Sequence, residues 1–421
     1  LQQSSAASDV YKRQILYGDA LEIFKFLKNK HNFDSVISEQ ETGIKWTFER
    51  DKKLKSFFMQ NDIHWTECAY PGVRRGHHDR NQWAKFFRKD ILRYPNLPVI
   101  KQSINLGLKN YDLPKIFYDS TPCPNRQKGG SEEAEKLLST FLNSRGENYQ
   151  FEMSSPISAE KSCSRLSTHL TYGTISHRSV FQEATQKKEK IQLTNKKFAK
   201  SINSFLSRLH WRSHFIQKLE DQPSIEHESF IPVYDQIREK DFRKLDAWIE
   251  GKTGVHFIDA CMIYLRNHGW INFRMRAMLA SFASYNLWLD WRYFGPRLAA
   301  LFTDFEPGIH YSQLQMQSGT TGINTIRMYN PYKQALDQDP EAKFIKSQLP
   351  EYNNFPPSFF FKPPELSNNE NLFNDSKLET IVDVTKTAKF ARDKIFSIRK
   401  LPEHQKMAKN VFIRHGSRQN R

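Results

Sequence analysis

Three clusters of residues in this 421-residue chain have types and spacings that could do chemistry. The first is Ser162-Cys163-Ser164-Arg165-Leu166-Ser167, followed by Thr168, Thr171, Gly173, Thr174 and Ser176. Hydroxyls and an arginine at a helix start can wrap a phosphate with side-chain O–H, backbone N–H and the helix dipole. Taken alone, these hydroxyls read more readily as helix caps. Neither GxGxxG nor GxxxxGK occurs, so a Rossmann or P-loop reading has no basis. The second cluster is RLHWRSHF at 208–215. Arg208 and Arg212, and Trp211 and Phe215, stand four apart and share one helix face. Two guanidiniums beside two rings can stack on a base and hold phosphates; an exposed basic helix with one partly buried Trp fits equally well. The third cluster runs from Thr253 to Pro331, rich in rings and sparing in charge, with Arg274 and Arg276 in apolar surroundings and the acids Asp304 and Glu306 further on. Each buried polar group needs a partner. A cavity of rings and a few fixed charges is what a large planar, phosphate-bearing cofactor requires.

The elements that must position these residues fall into two classes. From Ile15 to about Asn96 helix and strand alternate. Leu21, Phe24 and Leu27 form a helical face, Ser35–Ser38 and Ile63–Thr66 read as short strands, and Trp46–Gln60 as a helix between them. This predicts an α/β segment with a parallel sheet, truncated because only two clear strands remain. Residues 97–130 read as a Pro- and Gly-rich linker, and Ser131 as the N-cap of the next helix. From 131 to the end the chain is predicted to be a large all-α domain. It is interrupted by an irregular Asn/Pro/Phe-rich excursion at 352–377 and by a break at Pro402. Residues 1–14 carry no pattern and no apolar leader core, and read as a sequencing or cloning scar on a fragment.

Composition narrows the partners. Against 46 acidic residues stand 63 basic ones, a net +17, which favours a polyanion such as nucleic acid. No 18-residue apolar run occurs, so no membrane span is expected. The four cysteines (Cys68, Cys123, Cys163, Cys261) are far apart, and no zinc or other metal site is expected.

From about Gly129 onward the chain resembles the photolyase/cryptochrome family of flavoproteins, in a divergent branch. The resemblance rests on SRLS at 164–167, HWR at 210–212, TGVHFIDACM at 253–262, GWINFRMRAML at 269–279, LDWR at 289–292 and the segment Asp304–Pro331, six motifs in the family's order. It implies an FAD in the helical domain. Ser164, Arg165, Leu166 and Ser167 would hold its pyrophosphate and Arg276 and Asp304 would flank its ring. Glu306 would contact the ribityl or adenine region, with Arg212 and Arg274 lining the same cavity. The activity implied is blue-light-driven splitting of UV-induced pyrimidine dimers, cyclobutane or (6-4), by electron transfer from reduced FAD. The alternative is a cryptochrome-type photoreceptor without repair activity.

On this reading Trp211 stacks on the extruded bases, while Arg208, Phe273, Met316 and Arg327 form the pocket mouth and backbone contacts. Cyclobutane-dimer members of the family carry Glu, Asn and Trp where this chain has Arg208, Phe273 and Met316. A (6-4) lesion needs an acid, for which His268 is the candidate and His310 the second; a structural hydrogen-bonding role fits His268 as well. Trp291 matches the middle tryptophan of the family's electron-transfer chain, but Leu314 stands at the proximal position. A route through Trp288, Tyr285 or Tyr293 is therefore expected. Only Cys163 and Cys261 lie beyond the linker, too few for the iron–sulfur cluster of one bacterial branch, so no cluster is expected. An antenna chromophore of unspecified type, UV-damaged DNA as partner and a monomeric state complete the expectation. So does a cytoplasmic, nucleoid-associated location, or a nuclear or organellar one in a eukaryote.

Overall fold

The computed structural model describes residues 16–76, 79–93, 106–108, 123–363 and 380–416. The scar expected at 1–14, most of the expected linker and the second half of the 352–377 excursion lie outside the described residues. The chain divides into two compact units, residues 1–70 with 93–122 and residues 71–92 with 123–421.

In the first unit, helix α1 (Ala20–His31) is opened by Asp19, whose carboxylate accepts from the backbone N–H of Leu21 and Glu22. It is closed by Asn32 in the left-handed conformation, φ 46°, a role that asparagine fills at low steric cost. Strands β1 (Ser35–Glu39) and β2 (His64–Cys68) pair in parallel, Val36 opposite Trp65, with helix α2 (Lys45–Gln60) as the crossover. Leu54, Phe58 and Ile63 form the small core beneath them. The expected strands and helix are found within a residue or two of their predicted bounds.

The second unit is helical and differs in extent from the sequence reading. Residues 71–92, expected with the α/β segment, cluster with the helices. The physical reason is aromatic packing. Trp83 and Phe87 of α3 (Trp83–Ile91) lie edge-on to His210, with ring centroids 5.0 and 4.7 Å away. Asp90 meanwhile accepts from the N–H of Gly72 and pairs with Arg178. Helix α4 (Ser131–Asn143) starts at Ser131 rather than being capped by it. Gly130, at φ 99°, is the cap, and no side chain accepts there. After α5 (Pro156–Ser162), α6 (Ser167–Thr171) and α7 (His177–Ile191) comes the 26-residue α8 (Lys196–Asp221), capped by Asn195. Leu206, Leu209 and Ile216 of α8 are buried, as their spacing requires.

Helices α9 (Phe242–Glu250), α10 (His256–His268) and α11 (Phe273–Ser281) follow, the last running into a π-helical turn at Phe282–Asn286. Then come α12 (Trp291–Ala299), α13 (Pro307–Gln317), α14 (Pro331–Gln338) and α15 (Lys343–Gln348). The tail forms α16 (Val384–Arg399) and α17 (Pro402–His415), separated at Pro402 as its missing N–H predicts. Among the described residues no helix is long and apolar enough to cross a membrane.

Candidate functional site

Two family-motif acids are structural rather than chemical. Asp259 of TGVHFIDACM accepts from Thr253 N–H, Thr253 Oγ1 and Gly254 N–H at 2.9, 2.7 and 2.9 Å, tying down the loop before α10. Asp290 of LDWR caps α12 by accepting from Arg292 N–H at 2.9 Å and pairs with the Arg292 guanidinium at 2.5 Å. Both hold a helix start, and the second thereby fixes Trp291.

The candidate site lies where α8, α11 and α13 meet. Gly308, in the first turn of α13, allows the approach: a Cβ there would sit 2.5 Å from the Ile216 Cα of α8. This closeness joins Arg212 Nη2 of α8 to Glu306 Oε2, just before α13, at 2.6 Å with both side chains buried. Arg276 of α11 reaches Asp304 Oδ2 at 2.8 Å, donates from Nε to the Ile271 carbonyl at 2.7 Å and lies 4.2 Å from the Phe302 ring. Burial pushes the Asp304 carboxyl up. The charge and hydrogen bond of Arg276 and a hydrogen bond from Ser167 outweigh it, so the group is held below its usual value. The last residue of SRLS is thereby joined to the Arg–Asp pair.

The rest of SRLS is shaped for the same place. Arg165 adopts φ 63° and lays its guanidinium 3.8 Å over the Trp270 ring. Its carbonyl accepts from Gln127 Nε2 at 2.8 Å, and Ser164 Oγ accepts from Leu166 N–H at 3.4 Å. Leu166 is buried. Buried polar atoms left unsatisfied here include one acceptor, Asp304 Oδ1, and the donors Arg165 Nη1 and Arg274 Nε. Each such orphan costs free energy unless a ligand supplies its partner. An acceptor beside a fixed guanidinium suits the imide N–H of a flavin ring, and guanidinium donors suit phosphate oxygens. The residues present therefore fit FAD.

Residues 205–397 match the family described as the FAD binding domain of DNA photolyase. A deoxyribodipyrimidine photo-lyase of Halobacterium salinarum is 29% identical over 269 residues, 60% of this chain and 55% of that protein. An archaeal photolyase of Sulfolobus tokodaii, whose structure holds two FAD molecules, superposes with a TM-score of 0.70 at 25% identity, over 91% of this chain and 83% of that one. The chain belongs to the photolyase/cryptochrome family. A Synechocystis cryptochrome structure shares the fold of this photolyase relative, at TM-score 0.76 and 19% identity over 89% of this chain and 82% of that one. The chain spans little more than half the length of several curated photolyases it matches.

Around the FAD-binding region of this family member, the other expected residues divide. Arg274 does not join Arg276. Two positions apart on a helix they point about 200° apart, and Arg274 Nη1 instead donates to Gln334 Oε1 of α14 at 3.3 Å. The RLHWRSHF stripe is one helix face, but its second half is covered: Arg212 and Phe215 are buried, while Arg208 is half-buried and Trp211 is 42% exposed. Arg208 sits 4.7 Å from the Trp211 ring and 5.7 Å from the Phe273 ring, itself 44% exposed. Phe273 is held at the start of α11 by Asn272, whose Nδ2 donates to the carbonyls of Met153 and Ser154. Met316 is half-buried on α13 and Arg327 is exposed.

The histidines have local partners. His268 stacks on Tyr264 at 3.9 Å and donates from Nδ1 to the Tyr264 carbonyl. His310 donates from Nε2 to the Gly295 carbonyl, and burial lowers it to about 4, so the ring is neutral near pH 7. Trp291 is buried and donates to Ser229 Oγ at 3.0 Å. Trp288 and Tyr285 flank the Arg238 guanidinium at 4.9 and 5.7 Å, while Tyr293 packs apart from them on Phe242. Leu314 is buried against Gly295.

Three residues were not anticipated from the sequence. Tyr311 packs edge-on to Trp291 at 6.4 Å. Arg238 donates to the carbonyls of Ser284 and Ser318, bracing the π-helical turn. Ser167 completes the Asp304 network. Only Tyr311 left a signal, four residues past Pro307 on the same helix as Leu314 and three positions from it. Among the described residues no group of three or more His, Cys, Asp or Glu is placed to hold a metal ion.

Proposed function

We propose that this protein is a deoxyribodipyrimidine photolyase-type lyase that splits UV-induced pyrimidine dimers in DNA with blue light. The observation that carries the reading is the buried Arg276–Asp304 pair closed by Ser167, with Asp304 Oδ1 left open for a donor. A buried ion pair is weak evidence for stability, so its retention asks for another reason, and a flavin beside it supplies one. Bound and reduced, FAD supplies a light-activated electron donor to the lesion. Arg276 then holds positive charge where the reduced ring gathers negative charge, and Asp304 orients the ring by accepting its imide proton in a hydrogen bond. Ser164, Arg165 and Ser167 hold the pyrophosphate, and the Arg212–Glu306 pair walls the cavity and excludes water. Trp211 and Phe273 offer exposed rings on which an extruded base can stack, and extrusion is least costly at a damaged pair.

The net +17 charge suits a DNA partner, and a cytoplasmic site of action follows from that partner. Two domains serve the activity, an α/β domain at 15–96 and the helical domain from 131 onward. The test is direct. The purified protein should bind FAD, bind a lesion-bearing duplex and restore its bases under blue light but not in the dark. Flavin that photoreduces without repair of either lesion would instead favour the photoreceptor reading.

A further inference from the structure

We propose that Arg208 makes the base-binding mouth selective for a lesion edge that offers only hydrogen-bond acceptors, which is the (6-4) photoproduct rather than the cyclobutane dimer. The inference rests on the lesion-binding role given to this mouth under Proposed function. Arg208 lies on the half-open face of α8 between two exposed rings from different helices, Trp211 and Phe273. Its guanidinium is held from behind by a hydrogen bond to the Tyr149 phenol, and Tyr149 is itself fixed in the Phe141–Phe205 cluster. Among the described residues no ion pair involves Arg208, so no carboxylate claims its remaining N–H groups.

A guanidinium has five N–H donors and no acceptor, and it cannot be deprotonated in a protein. What faces it must therefore accept. Both thymines of a cyclobutane dimer keep N3–H between their two carbonyls, so each edge alternates acceptor, donor, acceptor, and the central donor would meet Arg208 without a partner. In the (6-4) product the 3′ base is a pyrimidone whose N3 has lost its hydrogen. N3 and O2 are then adjacent acceptors, a spacing the guanidinium fork can span with two parallel N–H bonds. The flanking rings fix the plane of the fork, and a site built from donors rejects a ligand that leaves a donor unpaired.

Equilibrium binding in the dark separates the cases, using fluorescence anisotropy with three otherwise identical duplexes: undamaged, cyclobutane-dimer and (6-4). Wild-type protein should bind the (6-4) duplex about tenfold more tightly than the cyclobutane duplex. Arg208→Gln, which offers an acceptor as well as donors, should bring that ratio near unity, and Arg208→Glu should invert it. Bound flavin absorbance in each variant shows that the fold persists, and Arg208→Lys, which keeps the charge but not the fork, should also narrow the ratio. Equal or stronger wild-type binding to the cyclobutane duplex overturns the inference while leaving the lesion-binding role standing, as does an unchanged ratio in Arg208→Gln. Failure of wild-type protein to prefer either lesion over undamaged DNA overturns the lesion-binding role, and this inference with it.

Discussion

The Arg276–Asp304 pair shows how one contact can serve a ligand at the expense of the empty protein. Asp304 is almost fully buried, with one oxygen used and the other unsatisfied. Breaking a buried pair from one side leaves an uncompensated charge and costs about 3–5 kcal/mol. Arg276→Ala should therefore lower both thermal stability and flavin retention. Asp304→Asn should keep more of the fold but lose flavin, because the amide replaces an anionic acceptor with one that also presents donors. Absorbance of the purified variants near the flavin bands, compared with circular dichroism, checks this; colour retained by both variants would refute the assignment. At the same scale, the tryptophan order of the family is only partly kept. Trp291 is in place, yet its ring neighbour is Tyr311 rather than Leu314. A residue three positions away along a helix replaces the expected one because helical neighbours at that spacing lie on one face.

Among elements, the α8–α13 junction decides whether a site exists at all. Arg212 and Glu306 are separated by 94 positions, and their 2.6 Å contact depends on the approach that Gly308 permits. Gly308→Ala would place a methyl against the Ile216 backbone, which cannot move as a flexible side chain can. Overpacking of this kind costs about 1–3 kcal/mol, and the effect should also widen the Arg212–Glu306 gap. Thermal denaturation with and without added FAD measures both: a lowered Tm together with weaker stabilisation by FAD is expected. An unchanged Tm would mean that the helices are not held at this distance in solution. The π-helical turn after α11 is a second element-scale device. It redirects the chain around Arg238, whose donors meet two carbonyls from separate segments, and π turns of this kind recur at functional sites.

Across the whole molecule, the helical unit buries many uncharged histidines. Burial lowers His177 to about 3, His210, His256 and His310 to about 4, and His415 to about 2, the last helped by the Lys218 charge. The unfolded chain takes up these protons near 6.5 and the folded chain resists them. Stability from these sites is complete above pH 6.5 and is lost as the pH falls toward 4. Asp259, pushed by burial to about 6, works the other way and recovers a smaller amount on acidification. Urea midpoints should be flat from pH 8 to about 6.5 and fall steeply below it, by several kcal/mol in extrapolated stability. A midpoint that stays level to pH 4 would show that these rings are solvated.

The sequence by itself determined the elements and the family. Periodicity located the helices and the two strands, Pro402 marked its break, and six ordered motifs named the cofactor, because local pattern and motif spacing are written along the chain. It could not separate residues alike in type but different in direction. Arg274 and Arg276 look equivalent in the sequence, as do the two halves of RLHWRSHF. Only the packing of α8 against α11 and α13 decided that Arg276 meets Asp304, that Arg274 turns to Gln334, that Arg212 is buried and that Arg208 faces outward. The physical reason is that burial and pairing belong to contacts between distant segments. Tertiary packing sets which side of each helix is covered, and with it which charges are left to meet a ligand.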